Sequence, residues 1–289
     1  MRPISLPNLA GKSVAALLAQ AETQLMANTD DPRREAELLL THALAWPRGR
    51  LWAFPEAIVA SEIGQRFLDL VERRRIGEPV AYLTGRAGFW TLELEVSPDT
   101  LIPRPETELL VETALKLADS APRHVVDLGT GSGAIALALA SERLLWHVFA
   151  TDLHAGALSV ARRNARRLNL SNVSFMQGSW CRPLASASFD LIVANPPYIA
   201  AGDPHLPALR YEPSTALIAD SAGLANLKML AATAHDCLTP GGWLLMEHGY
   251  NQGAASQELL QLAGYQAIAT LTDLAGHPRV TLGQRRPNQ

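Results

Sequence analysis

Hydrophobic positions change their spacing along the chain. Up to about Arg75 they recur at helical intervals. Val14, Leu17, Leu18, Ala21 and Leu25 share one face behind Ser13, a residue suited to capping a helix start. Asp31 and Pro32 open a second predicted helix through Glu35, Leu38, Leu39 and Ala43, and Pro47 and Gly49 close it. A third long helix is predicted from Ile58 to Arg75. No strand pattern interrupts these segments, so residues 1–76 read as a small all-α domain with solvated faces.

From Gly77 the period shortens to two. In EPVAYLTGRAGFWTLELEVSPDTLIPRP, Phe89, Thr91, Glu93 and Glu95 alternate with Trp90, Leu92, Leu94 and Val96, which predicts a β-hairpin linker over 77–104. Residues 105–289 open with a predicted helix from Pro105 to Leu117, and strand and helix patterns then alternate. The strands are HVVDLG, HVFATD, VSFMQG and DLIVAN; the helices between them run from Gly133 to Ser141 and from Ala155 to Leu168. Later come a helix at Leu224 to Cys237, the strand WLLMEH, a helix at Gln252 to Leu262, and strand-like runs near Tyr265 to Thr270 and Arg279 to Leu282. About seven strands in this alternation predict an α/β, Rossmann-like sheet, with ligands beyond the carboxyl ends of its strands.

Composition narrows the classes. With 48% hydrophobic and 18% charged residues, the 289-residue chain is neither disordered nor collagen-like. Its longest apolar runs, such as Ala134 to Ala140, fall far short of the roughly 20 residues of a membrane span, so no membrane association is expected. The run from Val14 to Ala19 is too short for a signal-peptide core, and the mature protein is read as starting at Met1. Lys and Arg total 25 against 28 Asp and Glu, a net charge of -3, so stable nucleic-acid binding is not expected. The two cysteines, Cys181 and Cys237, have no partner at metal-ligand spacing; no metal site is expected, and a cytoplasmic setting is.

Four strand ends carry the candidate chemistry. VVDL runs into Gly129, Thr130, Gly131, Ser132 and Gly133, a loop whose backbone can turn tightly and approach a ligand. The loop lacks the Lys of a P-loop and sits beside Asp127, which favours a cofactor without phosphates. Asp152 ends the next strand, where a carboxylate accepts two hydrogen bonds from a ribose diol, so the cofactor carries a nucleoside. Trp180, after the third strand, is placed to stack on adenine or to serve as a core indole. Asn195-Pro196-Pro197-Tyr198 ends an apolar strand. Neither proline has an N–H, so the Asn195 side-chain oxygen and the Pro196 carbonyl face a ligand as acceptors and select an NH2 group, on which Tyr198 packs. Asn195, Pro196 and Tyr198 are thus the candidate catalytic residues.

DLGTGSG, Asp152 and NPPY together resemble a class I S-adenosylmethionine-dependent methyltransferase acting on a planar amine or amide nitrogen. EPVAYLTG, FWTLELEVSPDTLIPRPETE, YEPSTAL, GGWLLMEHGYNQ and AGHPRVTLG resemble the PrmC/HemK family of release factor glutamine methyltransferases, most specifically from Glu78 to Gly283. The resemblance implies a seven-stranded methyltransferase domain. Gly129 to Gly133 would wrap the methionine part of S-adenosylmethionine, Asp152 would hold its ribose and Trp180 would flank its adenine. Asn195 to Tyr198 would bind the GGQ-loop glutamine of class I release factors, with Asn195 also near the cofactor. The helical domain would recognise the substrate protein. Ser179 stands where many members have an acidic residue, which removes an expected contact to the adenine amine.

Rival readings share parts of this pattern. A DNA or RNA exocyclic-amine methyltransferase would use the same NPPY site, and a noncatalytic adaptor would keep only the cofactor loop. A dinucleotide oxidoreductase would need GxGxxG in place of GxGxG. Arg162, Arg163, Arg166 and Arg167 share one helix and read as a solvated face rather than a docking patch. Arg104 and the stretch from Glu106 to Glu108 are candidates for the substrate entrance, and Glu247 is read as structural.

Overall fold

The computed structural model describes residues 11–287, and the chain divides into two compact units after Gly85. In the first unit, α1 (Val14–Leu25) starts where the Ser13 side chain accepts from the Ala16 N–H at 3.2 Å, and α2 (Pro32–Leu44) starts where Asp31 caps the Arg34 N–H at 3.1 Å. Both caps agree with the sequence reading. Pro47 is not a terminator: it precedes a short helix, α3 (Arg48–Ala53), because its fixed φ suits helix entry as well as exit. The long third helix, α4 (Ser61–Arg75), starts three residues later than expected, and α5 (Val80–Thr84) follows. Leu17, Leu18, Leu39, Leu40, Phe67 and Val71 form the core of this unit. Glu37 is buried at its margin, accepting from Arg33, Arg48 and the Trp52 indole N–H.

The second unit opens with a hairpin, β1 (Arg86–Phe89) and β2 (Leu92–Glu95), in antiparallel register across a turn at Trp90. Two features differ from the linker expected over 77–104. Its first part is helical (α5) and belongs to the helical unit, and the hairpin is built into the second unit. The reason is polar as well as apolar. Glu108, at the start of α6 (Glu108–Leu117), accepts from the Trp90 N–H at 2.7 Å. From α8 (Ala155–Arg167), the buried Asn164 pairs with both backbone groups of Glu95, and Arg163 pairs with Glu95 at 2.6 Å. Arg167 reaches Glu93, and Arg162 donates to the Phe175 carbonyl. Three of the four helix-face arginines therefore fasten neighbouring elements, which a purely solvated face would not do.

The remaining strands are β3 (His124–Leu128), β4 (His147–Asp152), β5 (Val173–Gln177), β6 (Phe189–Ala194), a two-residue pair β7 (Ile199–Ala200) and β8 (Ile218–Ala219), then β9 (Leu238–Glu247), β10 (Gln266–Thr272) and β11 (Pro278–Gln284). Seven form one sheet in the order β10-β11-β9-β6-β3-β4-β5. The contacts from β9 through β5 are parallel, and β11 inserts antiparallel. The sequence order reverses beside β3, so the crevice for ligands opens beyond the ends of β3, β4 and β6. The helix α7 (Ala134–Glu142) is buried from Ala134 to Ala140, which explains a run that is apolar all round. The helices α9 (Ala225–Cys237) and α10 (Gly253–Leu262) complete the layers. Among the described residues, no helix is long and apolar enough to cross a membrane.

Candidate functional site

Two cavities meet at the carboxyl ends of β3, β4 and β6. The larger, of about 660 Å³, is lined by Gly129, Gly131, Asp152, Trp180, Asn195 and Pro197, among others. The smaller, of about 170 Å³, is lined by Arg104, Glu106, Asn195, Pro196, Tyr198 and Glu247, among others. Asn195 belongs to both walls.

The loop after β3 is held from below. Asp127 is fully buried and accepts from the Thr130 hydroxyl at 2.7 Å and from the Ala136 N–H in the first turn of α7 at 3.2 Å. Burial pushes its carboxyl up to about 7 against those two hydrogen bonds. Thr130 thus turns inward to Asp127, and Ser132 is buried, with its carbonyl taken by Asn164. Gly133 (φ 87°) begins α7, where an added Cβ would lie 2.9 Å from Leu137 and 3.2 Å from Ala161. Its lack of a side chain serves close packing of helix on loop. Gly129 and Gly131 instead present backbone to the cavity. A Cβ on Gly131 would meet no protein atom within 4 Å, so the space it would take is open to a ligand.

Asp152 ends β4 with each carboxylate oxygen holding one backbone N–H, Gly131 and His154, both at 2.9 Å. A carboxylate has about four acceptor positions, so two remain for a diol in the cavity. Trp180 adopts a left-handed backbone (φ 50°) and stands over the loop, its ring edge 3.3 Å from where a Gly129 Cβ would be. It lines the cavity and also packs against the core around Phe189. Ser179 lines the same wall. The residues fit a nucleoside-bearing cofactor: a bidentate acceptor, a flat apolar face and a side-chain-free backbone share one cavity.

At the end of β6 the Asn195 amide nitrogen donates to the Thr107 hydroxyl at 3.1 Å. Its oxygen is therefore the atom available to the cavities. The turn is pinned by Asn226 on the Pro197 carbonyl at 2.9 Å and Gln252 on the Tyr198 carbonyl at 3.0 Å. Tyr198 donates its hydroxyl to Glu247 at 3.2 Å. Burial pushes the Tyr198 phenol up, and it pushes Glu247 up to about 7 against the Thr107 and Tyr198 hydroxyls and Arg279. Glu247 thus belongs to the cavity wall, beyond the structural part expected of it. Arg104 is held by the buried Glu212, and Arg279 by Asp273 at 3.0 Å with Glu106 at 4.0 Å. Arg104 and Glu106 line the smaller cavity, as the sequence suggests, whereas Glu108 is committed to the hairpin. Arg279 was not singled out; it is a lone charge at the edge of an apolar strand run, and only the strand pairing brings it here.

An open sheet in this order, with a glycine loop and an acidic residue closing its first two parallel strands, defines a Rossmann-like methyltransferase. Among solved structures, a methyltransferase from Pyrococcus furiosus superposes with a TM-score of 0.53 at 21% identity, covering 75% of this chain and 98% of that one. The hMettl16 catalytic domain superposes at 0.55 and 17% identity, covering 81% and 86%. Both establish the fold alone. Residues 16–85 match the PrmC N-terminal domain and residues 105–210 the methyltransferase small domain. The chain is 50% identical to the release factor glutamine methyltransferase of Vibrio cholerae, over 93% of this chain and 96% of that one. It is 51% identical to that of Xylella fastidiosa (94% and 98%) and 46% identical to that of Escherichia coli (92% and 97%). It belongs to the release factor glutamine methyltransferase family.

Proposed function

We infer that this protein methylates the side-chain amide nitrogen of the GGQ-loop glutamine in class I peptide chain release factors, with S-adenosylmethionine as donor. The observation that carries the reading is Asn195 at the junction of two cavities, its amide nitrogen committed to Thr107 and its oxygen free. S-adenosylmethionine, when bound, supplies an electrophilic methyl group on a sulfonium. Asp152 accepts the ribose hydroxyls, Trp180 flanks the adenine, and the backbone of Gly129 and Gly131 borders the methionine part.

The Asn195 oxygen and the Pro196 carbonyl accept the two hydrogens of the substrate amide, and Tyr198 packs against its plane. An amide nitrogen is a poor nucleophile because its lone pair is delocalised. Orientation therefore supplies much of the rate, up to about 7–11 kcal/mol for well-aligned reactants. The two acceptors also strengthen as the nitrogen becomes cationic, which is binding to the transition state in excess of the ground state. The proton then leaves to water. The helical unit recognises the release factor outside the loop, since one glutamine offers little surface for selectivity. A cytoplasmic setting fits such a substrate and the two free, buried cysteines.

The test is mass spectrometry of an unmodified class I release factor incubated with the protein and S-adenosylmethionine. Methylation mapped to the GGQ glutamine is expected, with a lower kcat/KM on an isolated GGQ peptide than on the intact factor. An unmodified glutamine despite cofactor binding refutes the reading.

A further inference from the structure

The carbonyls of the turn from Pro196 to Tyr198 are treated unequally. Asn226, in the first turn of α9, gives an amide N–H to the Pro197 carbonyl at 2.9 Å, and Gln252 gives one to the Tyr198 carbonyl at 3.0 Å. The Pro196 carbonyl takes no hydrogen bond among the described residues, and Pro196 lines the smaller cavity. Two donors from distant elements thus occupy two carbonyls and leave the third for a ligand.

Gln252 is 8% exposed and stands at the start of α10, where a polar side chain ordinarily turns to the first N–H groups of its own helix. It makes no such bond. Its Oε1 accepts from the Gly249 N–H at 2.9 Å, so a reversed amide would set N–H against N–H, and its Nε2 is committed to Tyr198. Gly223 makes room for that contact. At φ 86°, a Cβ there would lie 2.1 Å from the Tyr198 carbonyl oxygen and 2.6 Å from Gln252 Nε2. At the other end of the same tyrosine, Glu247 accepts from the hydroxyl at 3.2 Å. The segment that leaves β9 for α10 therefore holds Tyr198 at both ends.

We propose that Gln252 and Asn226 are positioning residues for methyl transfer, Gln252 fixing the Tyr198 ring and Asn226 the Pro196 carbonyl. The proposal rests on the reading of Asn195 to Tyr198 as the glutamine site. A peptide unit is planar and turns as a whole. The planes on either side of the Tyr198 Cα carry the Pro197 and Tyr198 carbonyls, so holding both sets the direction in which the ring leaves the chain. The Pro197 ring fixes its own φ, so holding the Pro197 carbonyl also holds the Pro196 carbonyl one plane back. Without the Gln252 donor the Tyr198 carbonyl is free to turn. The ring then leaves the plane of the substrate amide, and the nitrogen loses its alignment with the methyl group.

The experiment measures single-turnover methylation of an intact release factor at saturating S-adenosylmethionine, with the enzyme in excess and its concentration varied. The variants are Gln252→Glu, Gln252→Met, Asn226→Asp, Tyr198→Ala, and Gln252→Glu combined with Tyr198→Ala. Cofactor affinity and thermal midpoint serve as folding controls. An ionised Gln252→Glu side chain still accepts from the Gly249 N–H but faces the Tyr198 carbonyl with a lone pair in place of a donor. Gln252→Glu, Gln252→Met and Asn226→Asp should each lower the saturated rate by about tenfold to a hundredfold, with half-saturation and cofactor affinity within about threefold of wild type. Tyr198→Ala keeps both acceptors and a measurable rate, and adding Gln252→Glu to it should cost less than about threefold, because the ring that Gln252 holds is already gone. A loss under about tenfold in the single Gln252 and Asn226 variants overturns the proposal, as does a further loss of about threefold or more on Tyr198→Ala. A slowed Gln252 variant that also loses cofactor affinity or its thermal transition overturns it too, by assigning Gln252 to folding alone. A wild-type enzyme that leaves the glutamine unmethylated refutes the functional reading instead, so the two failures are distinguishable.

Discussion

Replacing Asn195 with alanine removes one of two acceptors proposed for the substrate amide and leaves the other, the Pro196 carbonyl, in place. The side chain is already oriented before substrate arrives, since its nitrogen is held by Thr107 at 3.1 Å. On the proposed reading its oxygen is a preorganised dipole aimed at an N–H that gains positive charge as the methyl group arrives. Loss of one such dipole typically costs about 2.7–4 kcal/mol in the transition state, a factor of about 10²–10³ in kcat. With a single remaining acceptor the amide also gains freedom to rotate about that hydrogen bond, so the upper end of this range is expected. Cofactor affinity should move far less, because Asp152, Trp180 and the glycine loop are untouched and Asn195 occupies only the edge of the larger cavity.

The assay is a quenched single turnover with saturating cofactor and factor, read as the methylated fraction of the GGQ peptide, alongside calorimetric titration of S-adenosylmethionine. A rate within about tenfold of wild type would refute the transition-state argument, because no preorganised acceptor of that size would then have been lost. A large drop in cofactor affinity with an unchanged saturated rate would reassign Asn195 to cofactor binding.

Asp152→Ala should weaken S-adenosylmethionine binding by about 10²–10⁴-fold, from two hydrogen bonds to a charged acceptor at about 1.5–3 kcal/mol each; equilibrium titration showing a change under tenfold would contradict it. Gly133→Ala should destabilise the second unit by about 2–5 kcal/mol, combining left-handed strain at φ 87° with the contacts a Cβ would make at 2.9 and 3.2 Å. Urea unfolding monitored by fluorescence measures this loss. In the helical unit, burial raises the Glu37 carboxyl, but hydrogen bonds from Trp52, Arg48 and Arg33 outweigh it and lower the value below 4.5. A depressed folded value stabilises above the unfolded value and is lost as pH falls through the folded one. Glu37→Gln should therefore cost about 1–3 kcal/mol at pH 7, and the gap to wild type should close towards pH 3 in thermal melts.

Chemistry written into consecutive residues was readable before any coordinates. The glycine loop, Asp152 and NPPY each end a strand whose apolar run announces it, and the topology of an α/β sheet gathers strand ends at one edge. Ser13 and Asp31 marked helix starts for the same reason: a cap is a local bond. Partners distant in sequence were not readable. Thr107 meets Asn195 across 88 positions, and Glu247 meets Tyr198 across 49. Nothing in the period of α6 or β9 signals those contacts, because they arise from strand register and from where α6 begins. Short elements escaped for another reason. The helices α3 and α5, of 6 and 5 residues, are too brief for a 3.6-residue period to declare itself, and Pro47 is equally consistent with an end and a beginning.

The charges around the smaller cavity favour a carboxamide over a carboxylate. Two arginines reach its wall, which would ordinarily invite an acidic ligand. Both are engaged: Arg104 by Glu212, which is itself buried and also accepts from the Ile102 N–H, and Arg279 by Asp273 and Glu106. On the proposed reading the groups left to face a ligand are the Asn195 oxygen and the Pro196 carbonyl, both acceptors. A glutamate side chain would bring lone pairs against lone pairs and a second negative charge into the pocket, where both arginines of the described wall are already engaged. A glutamine side chain brings two N–H donors. Methylation at nitrogen raises positive charge where the acceptors already converge, so the arrangement that excludes the acid also assists the reaction on the amide.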